Sequence, residues 1–373
     1  MKLCIVTHSL IKGSGQGRVN YEVVQEAIAR GHQITLLASA VAAELQQNNQ
    51  VSWVPVSVKG WPTELLRNTV FSQRSASWLR QHRREFDLVK VNGAITNAQA
   101  DVNAVHFVHS SWLQSPAHIS RSRRDYYGAY QWCYTALNAY WEKQAFSRAK
   151  VVVAVSNKVS QELIDIGVPQ EKIRVMFNGV DAQEFCPAPA NRQKLGLPEK
   201  VPLALFVGDI RLNRKNLDTV LHALVKVPEL HLAVVGEIEG SPYPQLAAKL
   251  ELGARVHFLG YRHDVAKIMQ AVDLFVFPSR YEPFGMVVSE AMASGLPVIT
   301  AATTGAAEIV TPNCGMVLAD TEDTQALAQA LSKLASDREL GRKMGQAARV
   351  EAEKYSWKKM AQSYVDLFEK LTS

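Results

Sequence analysis

Cysteine is scarce, with four among 373 residues, at positions 4, 133, 186 and 314, and no two form a C-x-x-C pair. That excludes a disulfide-stapled scaffold and a cysteine-based zinc site. Long apolar runs are also missing. The longest candidates, such as 151–155, have the length of a strand, far short of the ~18–20 residues that cross a membrane. The opening Met1-Lys2-Leu3-Cys4-Ile5-Val6-Thr7-His8 carries a histidine inside its apolar stretch and no small-residue cleavage site. A secretory leader is therefore not expected, and the expected location is the cytoplasm. No Gly-Lys-Ser/Thr occurs, which excludes a Walker phosphate loop. Compositional extremes are absent too: 47% hydrophobic and 20% charged residues exclude disorder, coiled coil and collagen. A chain of this length is expected to hold two domains.

The charge that is present is unevenly spread. Residues 1–186 hold 20 Lys and Arg against 14 Asp and Glu, and residues 187–373 hold 21 of each, so the net charge of +6 belongs wholly to the first half. Arg67, Arg74, Arg80, Arg83, Arg84, Arg121, Arg123 and Arg124 crowd one part of it. Such a bias suits either an anionic partner or a solvated face.

What is there is alternation. Apolar strand patterns at 2–7, 33–38, 51–58, 88–91, 104–109 and 151–155 are interleaved with helical spacing, beginning with Val19, Val23, Val24, Ala27 and Ile28. A long aromatic helix is expected at 125–147. The pattern then restarts, with strands at 203–207, 230–235, 256–258, 274–278 and 298–300. Between and after them come helices at 217–225, 243–252, 265–271, 287–293, 324–334 and 339–354. This predicts an α/β protein of two Rossmann-like, parallel-sheet domains, 1–186 and 187–356, joined at Cys186-Pro187-Ala188-Pro189-Ala190. The last segment, 357–373, is an amphipathic helix that can pack back on the first domain.

Ligands of such sheets bind beyond the carboxyl ends of strands. Gly13-Ser14-Gly15-Gln16-Gly17 lies at such an end before a helix, where N–H groups of Gly15 and Gly17 can face a phosphate or simply make a tight turn. The dinucleotide fingerprint fails there, because its third glycine position holds Arg18 and no acidic residue closes the second strand. A sharper constellation runs from Pro278 to Val298. Pro283 marks a helix start, and the N–H groups of Gly285, Met286 and Val287 suit an anionic oxygen. Glu282 and Glu290 are eight positions apart, roughly 12 Å along a helix. That is wider than the ~5–9.5 Å of paired glycosidase carboxylates. The spacing suits an extended ligand with hydroxyls at both ends and phosphate between, as in a nucleotide sugar. The alternative is that Glu282 caps the helix and Glu290 is merely exposed.

These residues resemble the Glu-x7-Glu motif of the retaining glycosyltransferases of family 4, whose GT-B fold sets two Rossmann-like domains face to face across a cleft. Asn178-Gly179-Val180-Asp181 with Phe185 and Pro187, Val256-His257-Phe258-Leu259-Gly260, and Gly305 with Glu308 are similar to further family segments. The resemblance implies that Glu290 binds the donor ribose, and that Glu282 with the backbone of Phe284, Gly285, Met286 and Val287 binds donor sugar and phosphate. It implies a Lys and an Arg on the diphosphate. Lys215 matches the lysine, one residue off the usual spacing, and either Arg211 or Arg214 is its partner. A basic group before a helix is otherwise poorly placed, since a helix N-terminus repels cations. His109 resembles the family histidine near the donor sugar. His106, three residues back in an expected strand, points to the other face and is expected to be structural.

The resemblance further implies a hexose transferred from a nucleoside-diphosphate sugar with retention, the departing phosphate assisting deprotonation. A UDP-sugar is the common donor, GDP-mannose the next. With no Asp-x-Asp motif in the chain, neither metal nor other cofactor is expected, and Lys215 with an arginine and helix N-termini stabilises the leaving diphosphate. The acceptor is expected to be a glycan or a lipid-linked cell-envelope molecule. The run Ser120-Arg121-Ser122-Arg123-Arg124-Asp125-Tyr126-Tyr127, continuing to Trp132 and Tyr134, suits a peripheral position on an anionic membrane, unless Tyr130, Trp132, Tyr134 and Trp141 are core. No motif supports nucleic-acid binding. Two other readings are a nucleotide-sugar epimerase on the same scaffold and a binding protein with a degenerate site.

Overall fold

The structure is a computed structural model that describes residues 1–11, 13 and 15–373; Ser14 of the glycine loop falls outside the described residues. The chain forms two compact units. One comprises Met1–Ser115, Arg123–Gly179 and Trp357–Ser373, the other Pro116–Ser122 and Val180–Ser356. The chain changes unit after Gly179, not after Cys186, because residues past Gly179 are tied to the second unit. Val180 N–H donates to Tyr355 O at 2.9 Å. The Arg349 guanidinium holds the carbonyls of Phe185 and Ala182 at 2.7 and 2.9 Å.

The first unit is a seven-stranded parallel sheet: β1 (Lys2–Leu10), β2 (Gln33–Val41), β3 (Val51–Pro55), β4 (Leu88–Asn92), β5 (Val102–Val105), β6 (Val151–Ala154) and β7 (Ile173–Val175), in the order β3-β2-β1-β4-β5-β6-β7. β4, β5 and β6 are buried along their whole length, as strands covered on both faces require. The second unit repeats the plan with β8 (Leu203–Val207), β9 (His231–Val235), β10 (Val256–Gly260), β11 (Leu274–Phe277), β12 (Val298–Ala301) and β13 (Gly315–Leu318), ordered β10-β9-β8-β11-β12-β13. In each unit the order reverses beside the first strand, between β1 and β4 and between β8 and β11. Crevices for ligands open at such points. Gly236, after β9, is needed there: a Cβ would lie 2.2 Å from Gly208 O.

Two expectations shift, and one helix was not expected. The expected strand 104–109 stops at Val105, and the backbone turns so that His109 opens the helix His109–Gln114. The strand expected to reach residue 58 ends at Pro55, with one further rung from Val56 N–H to Ala38 O at 2.9 Å. The helix Glu64–His82, capped by the Thr63 hydroxyl on Leu66 N–H at 3.3 Å, had no apolar periodicity strong enough to announce it. The helix Trp357–Thr372 packs on the helix Gly15–Ala29. It buries Trp357, Met360, Tyr364, Val365 and Phe368, and Arg30 fixes it through Asp366 and Glu369 at 2.6 and 2.9 Å.

A lysine lies at the centre of the first unit. Lys90 on β4 is fully buried and donates to the amide oxygens of Asn20 and of Asn92, the latter at 2.6 Å. Both amides donate in turn to the Thr7 hydroxyl, at 3.0 and 3.2 Å. The ammonium stands 5.8 Å from the Tyr364 ring centre. Burial pulls the Lys90 pKa down to about 7. Between that value and its unfolded pKa near 10.5 the unfolded chain binds more protons, so this group makes stability rise with pH. Relative to Lys90→Met, the natural protein should gain about 1 kcal/mol per pH unit between pH 7 and 10, read by urea unfolding at stepped pH.

Candidate active site

In the second unit, the loops leaving β8 and β11 meet at the reversal of strand order. The β8 loop carries Asp209, Arg211, Arg214 and Lys215, the last two in a 3-10 turn, Asn213–Lys215. The β11 loop carries Ser279, Arg280, Tyr281 and Glu282. The two loops are locked together. Arg280 N–H donates to Arg214 O at 2.9 Å, and the Ser279 hydroxyl to the same carbonyl at 3.0 Å. The Arg280 side chain grips both carboxylate oxygens of Asp218, at 2.9 and 2.8 Å, and those of Glu322 at 2.6 and 2.7 Å. Asn216, held in a left-handed turn, donates to Pro278 O at 3.0 Å and Thr321 O at 2.7 Å.

On this frame Lys215 donates to the Glu282 carboxylate, and Arg214 stands 3.8 Å from the same oxygen. Lys215 lies under a shell of carbon, its ammonium 5.1 Å from the Phe277 ring centre. Burial pulls its pKa down while the Glu282 charge pulls it back up. Of the two candidate arginines, Arg214 is the one brought to Lys215. Arg211 turns to Asp209, with two contacts at 3.0 Å that hold the aspartate's pKa below its usual range. Against the alternative of Glu282 as a helix cap, the residue that enters the helix is Gly285, and the Glu282 carboxylate is paired with Lys215.

The following helix starts later than the proline suggested. It spans Met286–Ala293, entered through Gly285 at φ +96°. Between Glu282 and Glu290 only part of the chain is helical, so the separation derived from a continuous helix does not apply. The reason lies in the partner loop. Glu282 N–H donates to Thr303 O at 3.2 Å, while Gly305 and Ala306 donate back to Glu282 O and Phe284 O at 3.0 and 2.6 Å. This bridging holds 282–284 extended. Met286 and Val287 then sit in the first helical turn, where N–H groups have no partner within the helix. Glu290 lies one turn on, half-buried.

The first unit has its own pocket at the β1/β4 reversal. It is lined by His8 from the end of β1, Gln16 between Gly15 and Gly17, Asn92 from β4, and His106, His109 and Glu142. Gly15 opens its helix and Gly17 is buried in the first turn. His106 and His109 line this one pocket; they do not face apart, because β5 ends before either. Burial lowers the pKa of His8 to about 4, of His106 to about 3 and of His109 to about 4, with the Lys90 charge adding to the shift at His106. All three rings are therefore neutral at pH 7, each offering one N–H and one lone pair. His106 Nε2 and His109 Nδ1 are buried without a protein partner. Such a lining suits hydroxyl groups better than anions.

The helix expected at 125–147 spans Tyr126–Arg148, capped by Asp125 on Gly128 N–H at 2.9 Å. Its aromatics divide. Tyr134 lines the pocket, its hydroxyl accepting from Asn68 at 3.2 Å, and Tyr130 accepts from Leu65 N–H at 3.3 Å. Tyr126, Trp132 and Tyr140 are 97%, 54% and 62% exposed, so these are not core.

Comparison with known proteins agrees with this architecture. The family model described as Glycosyltransferase Family 4 matches residues 13–184, and the one described as Glycosyl transferases group 1 matches residues 187–351. The chain belongs to the family 4 glycosyltransferases. A D-inositol 3-phosphate glycosyltransferase of Xylanimonas cellulosilytica is 31% identical over 252 residues, 62% of this chain and 59% of that protein. The chain thus spans a little over half the length of this curated relative. Among solved structures, a sucrose-phosphate synthase of Thermosynechococcus elongatus superimposes with a TM-score of 0.82 at 20% identity, over 99% of this chain and 98% of that one. WaaG, a glycosyltransferase involved in lipopolysaccharide biosynthesis, gives 0.79 at 23% identity over 98% and 99%. That likeness shows the GT-B fold.

Gly285 tests the local frame. A Cβ there would lie 2.8 Å from Thr304 Cγ2 and 3.1 Å from Glu282 Cγ, on a backbone of left-handed φ. Gly285→Ala should cost about 1–3 kcal/mol in urea unfolding, more than Gly253→Ala, which meets open space.

Proposed function

We propose that the chain is a retaining hexosyltransferase that takes a nucleoside-diphosphate sugar, with UDP as the nucleotide to test first. The observation that carries this reading is the Lys215–Arg214–Glu282 cluster beside the N-terminus of the helix Met286–Ala293, at the strand reversal of the second unit. Two cations and a row of helix N–H groups converge where one carboxylate is also present. A diphosphate satisfies the cations and the N–H groups, and the carboxylates of Glu282 and Glu290 accept from sugar and ribose hydroxyls. Phe284, Gly285, Met286 and Val287 supply the backbone of this cradle. Lys215, released from its hold on Glu282, would stabilise charge as the diphosphate leaves. The clamp does what a divalent cation does in other sugar transferases, so we infer that transfer needs no metal and no other cofactor. The neutral histidines of the first unit, His109 above all, suit the hydroxyls of a transferred sugar, and Gly15 and Gly17 give close backbone approach beside them.

The acceptor is inferred to be a glycan or lipid-linked molecule at an anionic membrane surface. No helix among the described residues is long and apolar enough to cross a membrane. Support for surface contact comes from the helix Tyr126–Arg148, where Tyr126, Tyr127, Trp132, Leu137 and Tyr140 are exposed after Arg123 and Arg124. Aromatic rings beside basic residues suit the headgroup region.

Two measurements test these readings. A thermal-shift panel of UDP, GDP and ADP with their sugars, in EDTA, should show stabilisation by one nucleotide class, about 2.7 kcal/mol at 100 times its Kd. Glu290→Ala should then weaken that binding by about 1–3 kcal/mol, roughly 5–150-fold in Kd. A shift that appears only with added Mg²⁺ or Mn²⁺ would refute metal independence, and unchanged affinity would remove Glu290 from the ribose. In co-sedimentation, anionic phosphatidylglycerol vesicles should pull down the protein at low salt, and Trp132→Ser with Tyr140→Ser should reduce this severalfold. No sedimentation of the natural protein would overturn the membrane reading.

A further inference from the structure

We propose that Glu142 is the positioning residue for His109, a buried carboxylate that fixes where the imidazole stands by holding the backbone beneath it. The proposal rests on the reading that His109 contacts substrate.

Glu142 lies in the interior half of the helix Tyr126–Arg148 and is 1% exposed. Its Oε2 accepts His109 N–H at 2.8 Å, and its Oε1 accepts Ser110 N–H at 2.7 Å. These two groups open the helix His109–Gln114, which has no side-chain cap from its own preceding residue. Only a carboxylate offers two equivalent oxygens to two successive N–H groups; an amide side chain offers one. Burying a carboxylate is costly, and here burial raises the Glu142 pKa to about 7 against the lowering pull of the two N–H groups. A turn of helix could be started more cheaply by a serine or threonine.

The imidazole itself has no such tether. His109 Nδ1 is buried without a protein partner, and the ring is flanked by Phe107 at 4.9 Å and Tyr134 at 5.9 Å between ring centres. Its nitrogen is left open to a ligand, so its place is set by the backbone anchor and by ring packing. The anchor and one of the two flanking rings come from one stripe of one helix. Tyr134, Asn138 and Glu142 recur every fourth residue, which puts them on the same side, and all three line the pocket that His109 lines.

The test is a double-mutant cycle of Glu142→Gln and His109→Ala. The alanine keeps the backbone N–H that Glu142 holds, so only the ring is removed. Activity is read as hydrolysis of whichever of UDP-glucose, UDP-galactose and GDP-mannose stabilises the protein. Glu142→Gln should lower kcat about tenfold with donor KM changed less than twofold, and lower it less than twofold in the His109→Ala background. Equal losses in both backgrounds would make Glu142 merely structural, and no loss in the natural background would also overturn the proposal. If His109→Ala alone leaves kcat unchanged, the reading of His109 fails first and the proposal falls with it. Hydrogen exchange gives a readout independent of activity: amides 109 and 110 should exchange at least tenfold faster in Glu142→Gln, and unchanged protection would refute the clamp. Glu142→Asp, which restores two oxygens on a shorter arm, should recover part of both effects.

Discussion

Among the described residues all thirteen strands run parallel to their sheet neighbours, so in each unit every strand delivers its carboxyl end to the same edge. The chain must then cross back over a face of the sheet before the next strand. Crossovers diverge only where the order reverses, and there no connection covers the edge. The rest of the architecture depends on this constraint. It decides that the loops after β8 and β11 lie side by side, that Lys215 can reach Glu282 across 67 residues of sequence, and that a helix N-terminus opens into the same space. In the first unit the same constraint gathers His8, Asn92, His106 and His109.

The two units bury cations by opposite means. Lys215 has a carboxylate partner, so its charge is held by another charge and can be handed to a competing anion. Lys90 is surrounded by amide oxygens and an aromatic face, which stabilise an ammonium without neutralising it. The first arrangement suits a site where charge arrives and leaves. The second suits a core, where it joins β1, β4, the helix Gly15–Ala29 and the helix Trp357–Thr372 through Thr7, Asn20, Asn92 and Tyr364. Burial keeps His8 and His109 neutral nearby, and at His106 the Lys90 charge adds to the effect of burial.

The alternation of strands and helices was legible in the sequence because burial on both sheet faces leaves uninterrupted apolar runs such as 203–207 and 274–277. Glu282, Gly285 and Glu290 were legible as candidates because they stand in a strand–loop–helix pattern around Pro283, whereas Lys215 was expected only through the family resemblance. The choice between Arg214 and Arg211 was not, since Asp209, two residues from Arg211, captures it only once the turn has formed. His106 was misread because periodicity cannot show that β5 stops at Val105. Glu142 was invisible: its partners are 33 and 32 residues away, and a glutamate in a helix is common. The helix Glu64–His82 has a weak apolar pattern because Ser72 and Ser75 fill buried positions that a more apolar helix would give to leucine, although Thr63 marks its start.

The helix Trp357–Thr372 has a consequence for how the molecule comes into being. It belongs to the first unit but is translated after the whole of the second. A ribosome releases the strands of the first sheet early, while the helix Gly15–Ala29 still awaits the helix Trp357–Thr372 that packs on it. Through the synthesis of residues 180–356 the nascent first unit carries an open apolar flank and a lysine whose aromatic neighbour does not yet exist. The second unit has no such debt to later sequence and can close as it emerges. The first unit can thus be completed only after the last residue of the second has been added.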